Sequence, residues 1–317
     1  MHKTIALAMA LTFGATLAAE AETLKLAIPQ KGAWDTSFSV YGDREGFFKE
    51  QGLELDITYT EGGATTETAV VSGSVDIAVA TGTLGILSAY VKGAPVRIIS
   101  AESTGSADLY WYAKAGSGIK SLKDMNGKTI GFSAPGSSSN LALLTLLKEQ
   151  GVNAKPVPAG GPPPTFTQVM SGQLDAGWAP APFGIKDIRE GKIVVIARAN
   201  DSPSVATETI RVNVANLNAL QTKRDAVGRF MKAYYKCWEW AYSNPKAFDY
   251  LAQDNNLPRD IAETSVKEFN TKEANNPYRI SGIQRVLDEA LAAKRIPNAM
   301  KEDEIKGVYD MVWKPGS

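Results

Sequence analysis

The chain has 317 residues, a formal charge of +0 and a hydrophobic fraction of 44%. That length is ample for about two buried cores, and the neutral balance argues against nucleic acid or an anionic membrane as partner, since both need a basic excess. The single histidine is His2 and the single cysteine is Cys237. An intrachain disulfide is therefore excluded, and imidazole chemistry is excluded once the leader described next is removed.

Residues 1–21 read as a secretory signal. Lys3 gives the positive start, residues 5–17 the apolar segment, and Ala19-Glu20-Ala21 the small-x-small cleavage pattern, so the mature chain is expected to begin at Glu22. The apolar run is too short for a membrane span. With no cysteine at the cleavage point no lipid anchor is expected, and an unanchored exported protein points to the periplasm of a bacterium with two membranes.

Residues 23–28 alternate apolar and polar as a first strand and run into the loop 29–35. A loop at the carboxyl end of a first strand sits over a ligand cleft in open α/β sheets. Trp34 is expected to offer a stacking face there, the alternative being that it packs the loop, and Asp35 lies beside it. A helix is expected over 41–51.

The chain then writes one pattern twice. Residues 49–86 align without a gap onto 148–185, with identity at Lys49, Glu50, Gln51, Gly52, Gly62, Thr66, Thr68, Val70, Ser72, Gly73, Asp76, Ala80, Gly85 and Ile86. Each copy reads as a helix end stopped by glycine (Gly52, Gly151), a short strand (53–59, 152–157), a second helix, an aspartate turn (Asp76, Asp175) and an apolar strand. The alternative is that two ordinary βαβ units converged. The strands emerge at Thr81-Gly82-Thr83 in one copy and at Pro180-Ala181-Pro182 in the other, where helices resume. Ligands bind where strand ends meet helix starts, so Thr81, Gly82 and Thr83 are expected on one rim of a cleft. In the second copy Trp178 and Phe183 flank the strand end, Trp178 dividing between cleft and packing.

Residues 84–92 read as a helix and 96–100 as a strand. The small polar segment 101–107 then leads into Leu109-Tyr110-Trp111-Tyr112 as a first crossover between lobes, with Tyr110 a candidate ligand contact. Ser121 and Asp124 carry a capping pattern. The strand 128–132 delivers the Gly/Ser loop 133–140 to a helix over 141–150. Free N–H groups and hydroxyls at a helix start suit an anion, which nominates Gly136, Ser137 and Ser138; the competing role is simple helix capping. The loop lacks a P-loop lysine and a GxGxxG, so nucleotides are not expected. A strand at 192–197 leads into a polar stretch at 198–207 and on into 208–214, which together give the second crossover. The remaining 216–317 read as helical, with Val227, Phe230, Met231, Tyr234, Trp238 and Ala241 as a core stripe and Cys237 a bystander. Ser281-Gly282 reads as a capped helix start.

The stretches YGDREGFFKEQGLELDI, VVSGSVDIAVATGT, IKSLKDMNGKTIGFSAPGSSS and VMSGQLDAGW resemble the nitrate/sulfonate/taurine class of ABC-transporter substrate-binding proteins, which share their fold with the thiamine-pyrimidine-precursor proteins. The resemblance covers about residues 23–210. It implies an α/β two-lobe periplasmic-binding-protein fold of type II. Each lobe would be a mostly parallel sheet flanked by helices, joined by two hinge crossovers, with lobe one at 22–103 plus 212–317 and lobe two at 104–211. It further implies a monomer that closes on a small-molecule ligand and hands it to an ABC membrane permease, without nucleic acid, cofactor, metal or catalysis. One enzyme branch of that superfamily makes the thiamine pyrimidine with its own histidine and iron, and the mature chain has no histidine to do so. Lying near few charges, the site is expected to take a small organic anion or a flat heterocycle. The competing readings are a carboxylate-dependent enzyme using Asp35 and Glu102, and a ligand sensor on the same fold.

Overall fold

The computed structural model describes residues 21–314; all of the export signal except Ala21 lies outside the described residues. The first half-lobe contains β1 (Glu22–Ile28), α1 (Phe38–Arg44), β2 (Leu53–Tyr59), α2 (Gly63–Val71), β3 (Ile77–Gly82), α3 (Thr83–Val91) and β4 (Val96–Thr104). The chain crosses at 105–108 and builds β5 (Leu109–Lys114), β6 (Thr129–Phe132), α4 (Ser138–Gln150), β7 (Lys155–Pro158), α5 (Pro162–Ser171), β8 (Ala176–Pro180), α6 (Ile185–Arg189) and β9 (Ile193–Arg198). It returns through 199–208 to β10 (Thr209–Asn216) and finishes with α7 (Leu217–Thr222), α8 (Arg224–Ser243), α9 (Lys246–Asn255), α10 (Arg259–Phe269) and α11 (Ile283–Ala292).

Two five-stranded sheets result, in the orders β2-β1-β3-β10-β4 and β7-β6-β8-β5-β9. β10 runs antiparallel to β3 and β4, and β5 antiparallel to β8 and β9, so each sheet has one reversed strand among four co-directional ones. Substituting β6, β7, β8, β5 and β9 for β1, β2, β3, β10 and β4 turns one sheet into the other.

The sequence repeat has a physical cause in this symmetry. Gly52 and Gly151 end their helices at φ 66°, ψ 31° and φ 65°, ψ 32°. Both close a Schellman pair, Leu53 N–H to Phe48 O at 3.0 Å and Val152 N–H to Leu147 O at 2.9 Å, a left-handed geometry in which glycine pays no Cβ penalty. Asp76 Oδ2 accepts the Lys25 N–H at 2.9 Å, and Asp175 Oδ2 accepts the Thr129 N–H at 2.8 Å. Each aspartate thus ties its turn to the neighbouring strand, β1 or β6. Thr66 and Thr165 donate their hydroxyls back to Gly62 O and Gly161 O at 3.1 and 2.8 Å.

Two local expectations are corrected. The helix expected over 41–51 is divided, because Gly46 at φ 79° closes α1, with Phe47 N–H bonding back to Gly42 O at 2.8 Å, and a 3-10 turn follows at Lys49–Gln51. Ser281 does not cap α11. Gly282 at φ 72° stands at the cap position, and Ser281 Oγ donates to Thr207 O at 2.7 Å. The stripe on α8 is buried as expected, together with Cys237, and packs on lobe one, where the Phe230 and Phe48 rings stack at 5.2 Å. Among the described residues no helix is long and apolar enough to cross a membrane.

Candidate functional site

The two sheets point their strand ends at one another, and a cavity of about 30 Å³ lies between them. Lobe one supplies Gln30, Asp35 and Thr36 from the loop after β1, with Ala80 from the end of β3; lobe two supplies Ser133 and Ser137–Ser139, with Trp178 and Pro180 from β8. Arg211, from β10, completes the wall. The space holds roughly two water molecules. Gln30 also lines a front chamber of about 290 Å³, walled by Lys31 and Glu61 from lobe one and by Pro162, Pro163 and Phe183 from lobe two.

Arg211 organises the site. Its Nη1 donates to Asp35 Oδ2 at 2.8 Å and to Asp108 Oδ2 at 2.9 Å, while its Nε donates to Ser138 Oγ at 3.3 Å. One guanidinium therefore bridges the first loop of lobe one, the first crossover and the helix start of lobe two. Asp108 is held in turn by Ser106 Oγ at 2.6 Å. The three charged side chains are 7%, 3% and 5% exposed. Burial favours the neutral form of Asp35, and despite Arg211 it raises that carboxyl above its ordinary value, with Asp108 adding to the effect. Burial would also lower Arg211, but Asp108 and Asp35 outweigh it and keep the guanidinium charged.

Beneath this cluster lies a second buried network. Ala80 sits at φ 52° in the left-handed region, a conformation worth of order 1–3 kcal/mol of strain for a residue with a Cβ. It is held there by Asn213 Oδ1, which accepts the Ala80 N–H at 2.9 Å, at a register shift between β10 and β3. Asn213 Nδ2 donates to Ser100 Oγ at 3.0 Å and to Glu102 Oε2 at 2.6 Å. Glu102 Oε2 also accepts the Tyr234 hydroxyl at 2.6 Å. Burial, and then Asp35, raise the Glu102 carboxyl well above its ordinary value.

The Gly/Ser loop is largely self-satisfied. Ser139 Oγ accepts the Ser133 N–H at 3.0 Å, Asn140 Oδ1 accepts the Gly136 N–H at 3.0 Å, and Ser137 Oγ caps α4 by accepting the Asn140 N–H at 3.2 Å. The N–H groups of Ser138 and Ser139 remain as the open donors of the first turn. Ser133 Oγ is buried without a partner.

The expected site residues divide. Asp35, Ser137, Ser138 and Trp178 line the cavity, and Trp178 Nε1 donates to Gly160 O at 3.1 Å. Phe183 lines the front chamber instead. Trp34 offers no face to either, which corrects the stacking expectation. It is fully buried, with Phe38, Tyr41, Tyr242 and Phe248 rings at 5.9, 6.2, 5.4 and 5.9 Å. Thr81, Gly82 and Thr83 stand behind the wall rather than on it. Thr81 Oγ1 donates to Val212 O at 3.0 Å, Thr83 Oγ1 is buried, and Gly82 packs on the backbone of Gly136 and Ser137 across the lobes. Gly136 belongs to that same contact, its carbonyl accepting the Gly85 N–H at 3.1 Å. Tyr110 is buried in lobe two and donates its hydroxyl to Phe183 O. Glu102, the second carboxylate of the enzyme reading, is spent on Asn213 and Tyr234 inside lobe one. Sequence reasoning missed Arg211, Asp108, Asn213 and Ser133. Arg211 and Asn213 had left a signal, since they are the polar alternates of Ile210, Val212 and Val214 on one strand. Among the described residues no group of three or more acidic, His or Cys side chains is arranged to hold a metal ion.

Three solved structures are similar in fold. The alkanesulfonate-binding protein SsuA of Xanthomonas axonopodis pv. citri, bound to MOPS, superposes with a TM-score of 0.75 at 18% identity, covering 89% of this chain and 97% of its own. The periplasmic nitrate-binding protein NrtA of Synechocystis PCC 6803 gives 0.72 at 13%, covering 92% and 87%. A ligand-binding component of an ABC-type import system from Staphylococcus aureus gives 0.69 at 14%, covering 92% and 99%. No curated protein matches the sequence. With residues 35–248 matched by its family model, a span holding every cavity-lining residue except Pro29 and Gln30, the chain belongs to the NMT1/THI5-like family and has the two-lobe periplasmic-binding-protein fold.

Proposed function

We propose that this chain is the solute-binding component of an ABC import system, that it works in the periplasm as a monomer, and that it captures a small polar organic solute between its lobes for delivery to a membrane permease. The observation that carries the reading is the bridge at Arg211. A single guanidinium on β10 bonds to Asp35 of lobe one and to Ser138 of lobe two beside the cavity between them. Closure is thereby coupled to the group that faces the solute. The names of the structural neighbours, which bind alkanesulfonate and nitrate or serve ABC-type import, support the same role.

The arrangement favours holding over transforming. Asp35 is the acidic residue of the cavity wall, and a guanidinium occupies it. A carboxylate enzyme needs a second acid within reach of the same substrate. Native mass spectrometry of the protein purified without denaturation tests the reading. A small molecule that co-purifies, stabilises the fold on re-addition and is recovered unchanged is the expected result. Chemical turnover of that molecule would refute it.

A further inference from the structure

We propose that α10 is a clasp that draws the two lobes together without solute, by burying a second apolar edge against α6 of lobe two. The inference does not depend on which solute the cavity takes.

α10 carries more apolar surface than one core needs. Ala262 and Val266, one turn apart, lie in the lobe-one core cluster that holds Phe230, Tyr234 and Leu251. Arg259 Nε donates to Asp249 Oδ1 at 2.6 Å and the Tyr242 hydroxyl donates to Asn270 O at 2.8 Å, which fastens the two ends of the helix to α9 and α8. Ile261 and Phe269 belong elsewhere. With Leu257 they form a separate apolar cluster with Ala181, Ile185 and Ile188 of lobe two. Ile261 and Ile185 are 5% and 8% exposed. Neither lies in the core of its own lobe, so each is covered from across the gap.

Two polar contacts extend the clasp. Arg189 Nη1 meets Asp260 Oδ2 at 3.1 Å, and the Arg198 guanidinium stands 4.6 Å over the Phe269 ring. The contact begins beside the first crossover, where the Ala181 N–H donates to Asp108 O at 2.9 Å, and runs outward along α6 to Arg189. A rotation of one lobe at the crossovers therefore uncovers its outer part, and returning buried apolar surface to water is disfavoured. Ala181, Ile185, Ile261 and Phe269 are not wall residues of the cavity, so the closing force acts on the free chain. α11 also meets lobe two, but by charge: Arg285 Nη2 lies 3.4 Å from Glu149 Oε1, and Lys148 Nζ lies 3.2 Å from Glu289 Oε1. Ion pairs that water reaches contribute little and are screened by salt, which leaves the apolar contact as the driver.

Spin labels at Thr68→Cys and Thr167→Cys report the lobe separation by double electron–electron resonance. Both positions are exposed, one on α2 and one on α5, and the native Cys237 is buried. The mature chain is dialysed until native mass spectrometry finds nothing bound. A short-distance population that matches this structure is expected in the otherwise unaltered chain. Ile261→Ser should lower its ratio to the longer distance about tenfold, the order set by uncovering one isoleucine side chain. Ile185→Ser should do the same from the other lobe, and the double variant should open little further than either single one, since both remove one contact. Circular dichroism and melting curves check that each variant folds. Asp260→Asn, an exposed position outside both cores, should lower the ratio about twofold. A long distance alone in the solute-free chain, a ratio unmoved by both isoleucine variants, or additive effects in the double variant overturns the proposal. So does a short population that vanishes as salt rises from about 0.1 M to about 1 M, which would hand closure to the ion pairs of α11.

Discussion

The contact between the lobes is close enough to be tested with one methyl group. Gly82 stands at φ −66°, ψ 124° before α3, a backbone conformation that alanine adopts freely. A Cβ built there would lie 2.6 Å from Gly136 O and 3.0 Å from Ser137 Cα, all of it backbone of the other lobe. Ordinary contact begins near 3.4 Å, so Gly82→Ala must separate the lobes by about 0.8 Å at this point. The Gly85 N–H to Gly136 O bond at 3.1 Å and the Arg211 Nε to Ser138 Oγ bond at 3.3 Å would then stretch beyond hydrogen-bond reach. Losing one neutral and one charge-assisted bond costs about 2 kcal/mol or more, which is at least a 30-fold rise in Kd. Lobe one gains no internal clash, so the melting temperature without solute should move by less than about 1 °C. Titration calorimetry with the co-purified solute, beside a melting curve of the free protein, measures both. A Kd within threefold of the wild type would refute the view that this glycine-to-serine approach belongs to the solute-bound form.

Trp34→Ala should lower the unfolding free energy by about 3–5 kcal/mol in urea, the usual cost of emptying a core aromatic site, while the folded fraction keeps its affinity, since the ring never reaches the cavity. Asn213→Ala leaves the Ala80 N–H without its acceptor and removes one of the two donors to Glu102, Tyr234 remaining as the other; the orphaned N–H should cost about 1–3 kcal/mol in the same assay. Burial pushes the Glu67 carboxyl up to about 7 against the opposing Arg295 and Lys92. Because the folded value lies above the unfolded one, the stability this group contributes is full below about 4.5 and is lost as pH rises through about 7. Glu67→Gln should therefore raise the melting temperature above pH 7 relative to wild type and flatten its fall between those limits; a parallel pair of melting-versus-pH curves would contradict this.

The symmetry of the two lobes was legible because the residues that enforce it act locally. A left-handed glycine, a turn aspartate that caps a neighbouring N–H and a threonine that bonds back into its own helix each leave a mark at fixed spacing. The serine loop was legible for the same reason, since a helix start advertises itself within four residues. The surroundings of Trp34 were not. Two of its four ring partners, Tyr242 and Phe248, lie two hundred residues downstream, and nothing near the loop announces them. Arg211 was missed for a different reason. Its strand was read as the tail of the second crossover, although Ile210, Val212 and Val214 alternate with Arg211 and Asn213. A strand that becomes the fourth of five in a sheet buries both faces, so its polar alternates must find partners, and those partners form the centre of the site.

The strand orders carry a consequence for how the molecule comes together. Every strand of the second sheet lies within one uninterrupted run, residues 109–198, so that half can complete its hydrogen-bonded ladder as soon as the run exists. The first sheet cannot. Its β4 pairs with β10 and not with β3, which leaves a slot one strand wide until residue 216 has been made. Arg211, which lines the cavity between the lobes, travels on the strand that fills this slot. The same late insertion that completes the first sheet also completes the wall of the cavity between the lobes.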